Sequence, residues 1–197
     1  MKAFRSLRAR AAVLDRPDVD TDQIVPKQFL KRIERTGYGR FLFHDWRQDP
    51  DFELNRPGCD GASILLTGPN FGCGSSREHA AWALQDYGFE VVVAPSFGDI
   101  FFSNAVQVGL VPVTLPAEDV KALMLAVADG GELTVDLESE TITDPAGRVV
   151  RFEMDPFVRT SLLQGLDTIG RTLRHEAAIA AFESRSPSPV ETTAPGT

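Results

Sequence analysis

Thiols, imidazoles and positive charge are all scarce in this chain of 197 residues, and each shortage excludes some chemistry. The two cysteines, Cys59 and Cys73, are too few for a disulfide framework, a zinc ribbon or the thiolates of a four-cysteine iron–sulfur cluster. Any such cofactor has to come from another chain, and this one is expected to bind no metal. The histidines, His44, His79 and His175, include no pair at helical spacing that could form a metal site. With 20 Lys and Arg against 28 Asp and Glu, the net charge is −8, which argues against nucleic acid or an anionic membrane as main partner. Long apolar runs are missing too. No stretch approaches the roughly 18 apolar residues of a membrane span, and the basic start "MKAFRSLRARAAVLD" lacks a signal-peptide core. A cytoplasmic protein is expected.

What is present reads as an α/β fold. "AAVLD" (11–15), "SILLTG" (63–68), "EVVVAP" (90–95) and "LVPVTL" (110–115) have the length and β-branched content of buried strands. Residues 77–87 and 97–108 have helical patterns, each closed by a glycine, Gly88 and Gly109. The order βαβαβ implies a parallel sheet with crossover helices. A helix opening on Pro116 puts Val120, Leu123, Met124 and Val127 on one face. "ELTVDLESETITD" and "RVVRFEM" then read as antiparallel strands joined by turns, and "DPFVRTSLLQG" and "DTIGRTLRHEAAIAAFE" as helical segments. One domain over 1–183 is expected, followed by a disordered tail, "SRSPSPVETTAPGT" (184–197), too polar to bury apolar area.

Two segments stand outside this scaffold. Asp15 to Gly39 is a long polar connection carrying Asp18, Asp20 and Asp22. Alternate aspartates suggest a calcium loop, but the glycine and distal glutamate of an EF-hand are absent. The segment is expected to be a solvated or substrate-facing loop. The other is "NFGCGSSREHAAWAL" (70–84). It lacks the lysine of a Walker loop and the third glycine of a dinucleotide fingerprint. Cys73 has no base beside it, since His79 lies six residues on inside the expected helix. Ser75 to Glu78 has the form of a capping box. Capping leaves Gly72, Gly74, the doubled serine and Arg77 unexplained. Glycines that let a ligand approach, a helix N-terminus carrying about half a positive charge, and a bidentate arginine together describe an anion site.

The stretch "NFGCGSSREHAAWALQDYGFEVVVAPSFGDIFFSNA" closely resembles the small subunits of bacterial 3-isopropylmalate dehydratase, in the aconitase superfamily. "DVDTDQIVPKQFLKR" (18–32), "LFHDWR" (42–47) and "GLDTIGRTL" (165–173) resemble the same family, so the likeness runs from about residue 10 to 183. It implies the swivelling β/β/α domain of that superfamily, with a central mixed sheet and flanking helices. It also implies a large-subunit partner holding a [4Fe-4S] cluster, and a small dicarboxylate as substrate. The implied reaction is the leucine-biosynthesis isomerisation of 2-isopropylmalate to 3-isopropylmalate through isopropylmaleate.

By motif match, Ser75 falls on the superfamily's catalytic serine, and Ser76 and Arg77 on substrate carboxylates. Thr21 and Asp22 match its "TD", whose aspartate is expected to orient a basic partner. Aconitases carry a further substrate arginine that here meets a gap, so Lys31 or Arg32, or neither, takes that place. His79 is expected to hydrogen-bond the loop. Two other readings stand beside this one: the small subunit of a related hydro-lyase acting on homocitrate or citramalate, and a non-catalytic assembly module. An intact "GSSR" speaks against the latter.

Overall fold

The computed structural model describes residues 1–31, 36–128 and 130–185. Seven strands form one mixed sheet in the order β4-β3-β2-β1-β5-β6-β7. Its parallel half is β1 (Ser6–Leu14), β2 (Ile64–Thr67), β3 (Val91–Ala94) and β4 (Val111–Thr114). Helices α2 (Glu78–Tyr87) and α3 (Asp99–Val108) make the crossovers, and α4 (Ala117–Ala126) follows β4. The other half is antiparallel: β5 (Glu132–Asp136) pairs with β1 and β6 (Thr141–Thr143), and β6 with β7 (Val149–Arg151). Short turns can join antiparallel neighbours but not parallel ones, so the turn-rich sequence after residue 136 builds this half.

The two faces of the sheet carry separate cores. Alternation along β1 sends Ala12 and Leu14 to one face, with Ala80, Leu84 and Phe101 of the crossover helices. Ala11 goes to the other, with Val120, Leu123 and Met124 of α4. β2 and β3, covered on both sides, are buried at every position, which is why they read as unbroken apolar runs. Gly88 and Gly109 end their helices at φ +120° and +91° as the sequence implies.

Three elements differ from the sequence reading. β1 begins at Ser6, five residues earlier, with Arg8 and Arg10 exposed and Leu7 and Ala9 half-buried in alternation. Half of a strand whose outer face meets water looks basic in sequence. The 168–183 segment divides into α6 (Thr168–Leu173) and α7 (Glu176–Glu183), after α5 (Pro156–Gln164). The Asp15–Gly39 connection is not simply a solvated loop. Its described part contains α1 (Thr21–Ile24), and Val19, Ile24, Val25 and Tyr38 are fully buried. Val19, the Ile24–Val25 pair and Tyr38 are too irregularly spaced for any periodicity to announce them. Residues 186–197, most of the expected tail, lie outside the described residues. Among the described residues no helix is long and apolar enough to cross a membrane.

Candidate active site

The connections leaving the carboxyl ends of β1 and β2 meet at the edge of the parallel half, where open α/β sheets place their ligands. Each is bound to the other through backbone. The Gly72 N–H donates to Val19 O (2.8 Å), the Thr21 N–H to Cys73 O (3.0 Å), and Asp20 and Cys73 form a parallel bridge. Side chains then complete the clasp. The Thr21 hydroxyl donates to the Ser75 carbonyl at 3.0 Å, and the Arg77 guanidinium pairs with the Asp22 carboxylate. Arg77 is mostly enclosed, at 16% side-chain exposure, while Asp22 keeps 42%. Thr21 is buried, and Ser75 and Ser76 face solvent.

The three alternate aspartates have three separate tasks. Asp18, at φ +53°, accepts from Asn70 Nδ2 (2.8 Å). Asp20 caps α1: its carboxylate accepts from the Asp22 N–H (2.6 Å), and Gln23 Oε1 reaches back to the Asp20 N–H (2.8 Å). Asp22 holds Arg77. Among the described residues, no group of three or more His, Cys, Asp or Glu is placed to hold a metal.

The capping box expected at Ser75 to Glu78 does not form. Arg77 is the N-cap of α2, in extended backbone, and no side chain caps the helix. With the Ser75 carbonyl tied down by Thr21, the N-cap falls at Arg77, two residues past Ser75 and one past Ser76, so neither serine caps the helix. Both hydroxyls are thereby left free beside an uncapped, partially positive helix end. The glycines also work differently from the expectation that they admit a ligand. A Cβ on Gly72 (φ +74°) would lie 2.2 Å from Phe101 Cγ, and one on Gly74 (φ +87°) 2.2 Å from Asp20 Oδ2. They bring the loop against the protein's own α3 and α1 cap.

Among the described residues, His79 makes no hydrogen bond to the loop. Its ring packs on Tyr38 and Trp82, with centroids 5.1 and 4.7 Å away. Burial pushes its pKa down, against a smaller upward pull from Glu78. Cys73 is pushed up by burial and by Asp20 and Asp18, the wrong direction for a nucleophile. Cys59 is likewise raised, by burial and Asp60. Two thiols on separate loops, both disfavoured as thiolates, do not fit an iron–sulfur cluster. Lys31 is exposed, with no bond to the Ser75–Arg77 loop among the described residues, and Arg32 lies outside them. The sequence reading missed Asp20 and Gln23, although D-x-x-Q was a legible capping signal, and it missed Asn70 and Phe101 as supports of the loop.

Comparison with known proteins agrees over almost the whole chain. Residues 1–118 match the Aconitase C-terminal domain family, and 121–156 match LeuD_N. Residues 168–188 match the family of C-terminal domains of the 3-isopropylmalate dehydratase small subunit. The 3-isopropylmalate dehydratase small subunit of Parafrankia sp. is 57% identical, covering 98% of this chain and 100% of its own length. Its counterpart in Rubrobacter xylanophilus is 56% identical over 95% of this chain and 96% of its own. A crystal structure titled 3-isopropylmalate dehydratase (leuD), from Methanocaldococcus jannaschii, matches at a TM-score of 0.68 and 27% identity, over 90% of this chain and 99% of that one. A mixed sheet with Thr21, Asp22 and the Ser75–Arg77 loop at its edge, together with these relatives, places the chain in the family of 3-isopropylmalate dehydratase small subunits.

Proposed function

We propose that this chain supplies the catalytic serine loop of a cytoplasmic hydro-lyase that isomerises 2-isopropylmalate to 3-isopropylmalate, active only with a large subunit that carries a [4Fe-4S] cluster. The observation that carries the reading is the clasp of Thr21 on Ser75 and Asp22 on Arg77, which joins segments more than fifty residues apart and leaves two serine hydroxyls exposed. Exposed large apolar side chains on α5 to α7, Phe157, Ile169, Leu173 and Phe182, are consistent with a chain that works in a complex.

In this reading Ser75 Oγ, as alkoxide, takes a proton from carbon 3 of 2-isopropylmalate. The C–H electron pair becomes the double bond of isopropylmaleate as the carbon 2 hydroxyl leaves. The partner's cluster would supply Lewis acidity to that hydroxyl. Returning water with the opposite regiochemistry, hydroxyl to carbon 3 and proton to carbon 2, gives 3-isopropylmalate. A serine hydroxyl is far too weakly acidic to ionise unaided, so its oxyanion needs the N–H groups of the uncapped α2 terminus and the Arg77 charge. Asp22 occupies part of the Arg77 fork and aims the remaining donors at a substrate carboxylate, with Ser76 as a second contact. Thr21 sets the position of the Ser75 backbone.

The test is reconstitution with a cluster-bearing large subunit, following isopropylmaleate absorbance, with homocitrate and citramalate as competing substrates. The complex is expected to turn over isopropylmaleate, and the chain alone to be inactive. Full activity of a Ser75→Ala complex, or turnover by the isolated chain, would overturn the proposal.

A further inference from the structure

We infer that the cavity between β1, α4 and the loop from Glu53 to Cys59 is a second ligand site, which takes a small aliphatic monocarboxylate. Its volume is about 370 Å³, at the small end of the roughly 300–1,000 Å³ of ligand pockets. It opens on the face of the sheet opposite the Leu14 side, and none of its lining residues belongs to the Ser75 loop. The inference is therefore independent of the reaction proposed above.

The floor is apolar. Ala11 and Val13 of β1, Met124 of α4 and Val127 just past its end line it, and Val13 stays half-exposed in the middle of the sheet because the cavity lies over it. Leu125, 74% exposed, stands at the lining where an aliphatic tail would cover it. Gly58 and Gly130, both at positive φ, close one wall, since a Cβ on Gly58 would lie 3.8 Å from Gly130 Cα.

Charge decides which head group fits. Glu53 is already held by two 2.9 Å bonds from Arg16 and is not available. Arg56 and Lys121 line the cavity from different elements, are exposed, and have no ion pair among the described residues. With Glu53 counted as neutral beside Arg16, Arg56 and Lys121 against Asp15 leave the lining one charge positive in a chain of net charge −8, although Arg56 also acts on Glu53 from a distance. The two cations offer a carboxylate a guanidinium fork and an ammonium while its tail leaves water for the floor. Asp15, exposed at the same cavity, would repel a second carboxylate, so this site favours a monoanion where the Ser75 loop takes a dicarboxylate.

The test titrates the full-length chain, isotopically labelled, with 4-methylpentanoate, 4-methylpentan-1-ol and 4-methylpentan-1-amine while recording backbone amide spectra. The carboxylate is expected to shift the amides of Val13, Cys59 and Met124 saturably. The alcohol should bind at least tenfold more weakly and the amine not at all. An Arg56→Gln/Lys121→Gln double variant should raise the carboxylate Kd at least tenfold with an unchanged thermal midpoint, because both side chains are exposed. Equal binding of the alcohol, shifts confined to Ser75–Arg77, an unaltered Kd in the variant, or no saturable shift at tens of millimolar would each overturn the inference.

Discussion

Arg77 is where folding and the proposed catalysis claim the same side chain. It caps α2 by its backbone and pairs with Asp22 by its guanidinium. An Asp22→Asn change keeps the shape but frees Arg77 to wander, so kcat/KM of the reconstituted complex should fall about tenfold to a hundredfold. Stability should drop by no more than about 1 kcal/mol, since water already reaches Asp22. Ser75→Ala should lower kcat by about 10²–10⁴-fold with no change in thermal midpoint, because the hydroxyl is exposed and supports nothing in the fold. His79 gives a pH prediction instead. Burial holds its folded pKa below 6.5, so the native state binds protons less readily than the unfolded chain. Its contribution is complete above 6.5 and is lost as pH falls towards the folded value. Denaturant midpoints at about pH 7.5 and 5.5 should therefore separate more in the wild type than in His79→Phe, which keeps the ring against Tyr38 and Trp82. Equal separations would mean that the ring titrates as if unfolded.

At the scale of elements, regular structure was legible wherever one residue type forces one backbone state. Gly88 and Gly109 end helices by their left-handed tolerance, and β2 and β3 declare burial on both faces by continuous apolar runs. The residues of the candidate site stand out in the sequence as a motif, but the local structure around them does not. A capping box at Ser75 to Glu78 is a valid local reading that a distant hydroxyl, Thr21, overrides by fixing the Ser75 carbonyl. The real box, Asp20 with Gln23, was hidden by the attention that three alternate aspartates draw to metal binding. Gly74 ties these elements together. Its alanine would put a Cβ 2.2 Å from Asp20 Oδ2 at φ +87°, so Gly74→Ala should cost on the order of 1–3 kcal/mol. At roughly 2–4 °C per kcal/mol, calorimetry would read that loss directly. An unchanged midpoint would show that Asp20 can leave the cap freely.

Across the whole molecule, the parallel half carries the candidate site and the C-terminal helices carry the surface that the isolated chain leaves open. Neither could be weighed from the sequence, because an apolar helical pattern states that a face is covered without stating by what. The helical pattern of 168–183 suits a buried helix, yet every described residue from Thr172 to Arg185 is exposed. In α7 the apolar Ala177 to Phe182 run faces water, and an isolated helix of eight residues is marginal in water. Phe182 at 63% and Leu173 at 58% exposure give nothing to this chain's own core. A Leu173→Ser/Phe182→Ser variant should therefore keep the wild-type denaturation midpoint to within about 0.5 kcal/mol. If the large subunit proposed above covers this face, truncating two large apolar side chains there should weaken assembly by at least about tenfold. Titrating the labelled large subunit against wild type and variant measures that difference. Unchanged affinity would move the docking surface elsewhere, to the exposed carboxyl edge around Ser75, which the proposed mechanism requires to meet the partner.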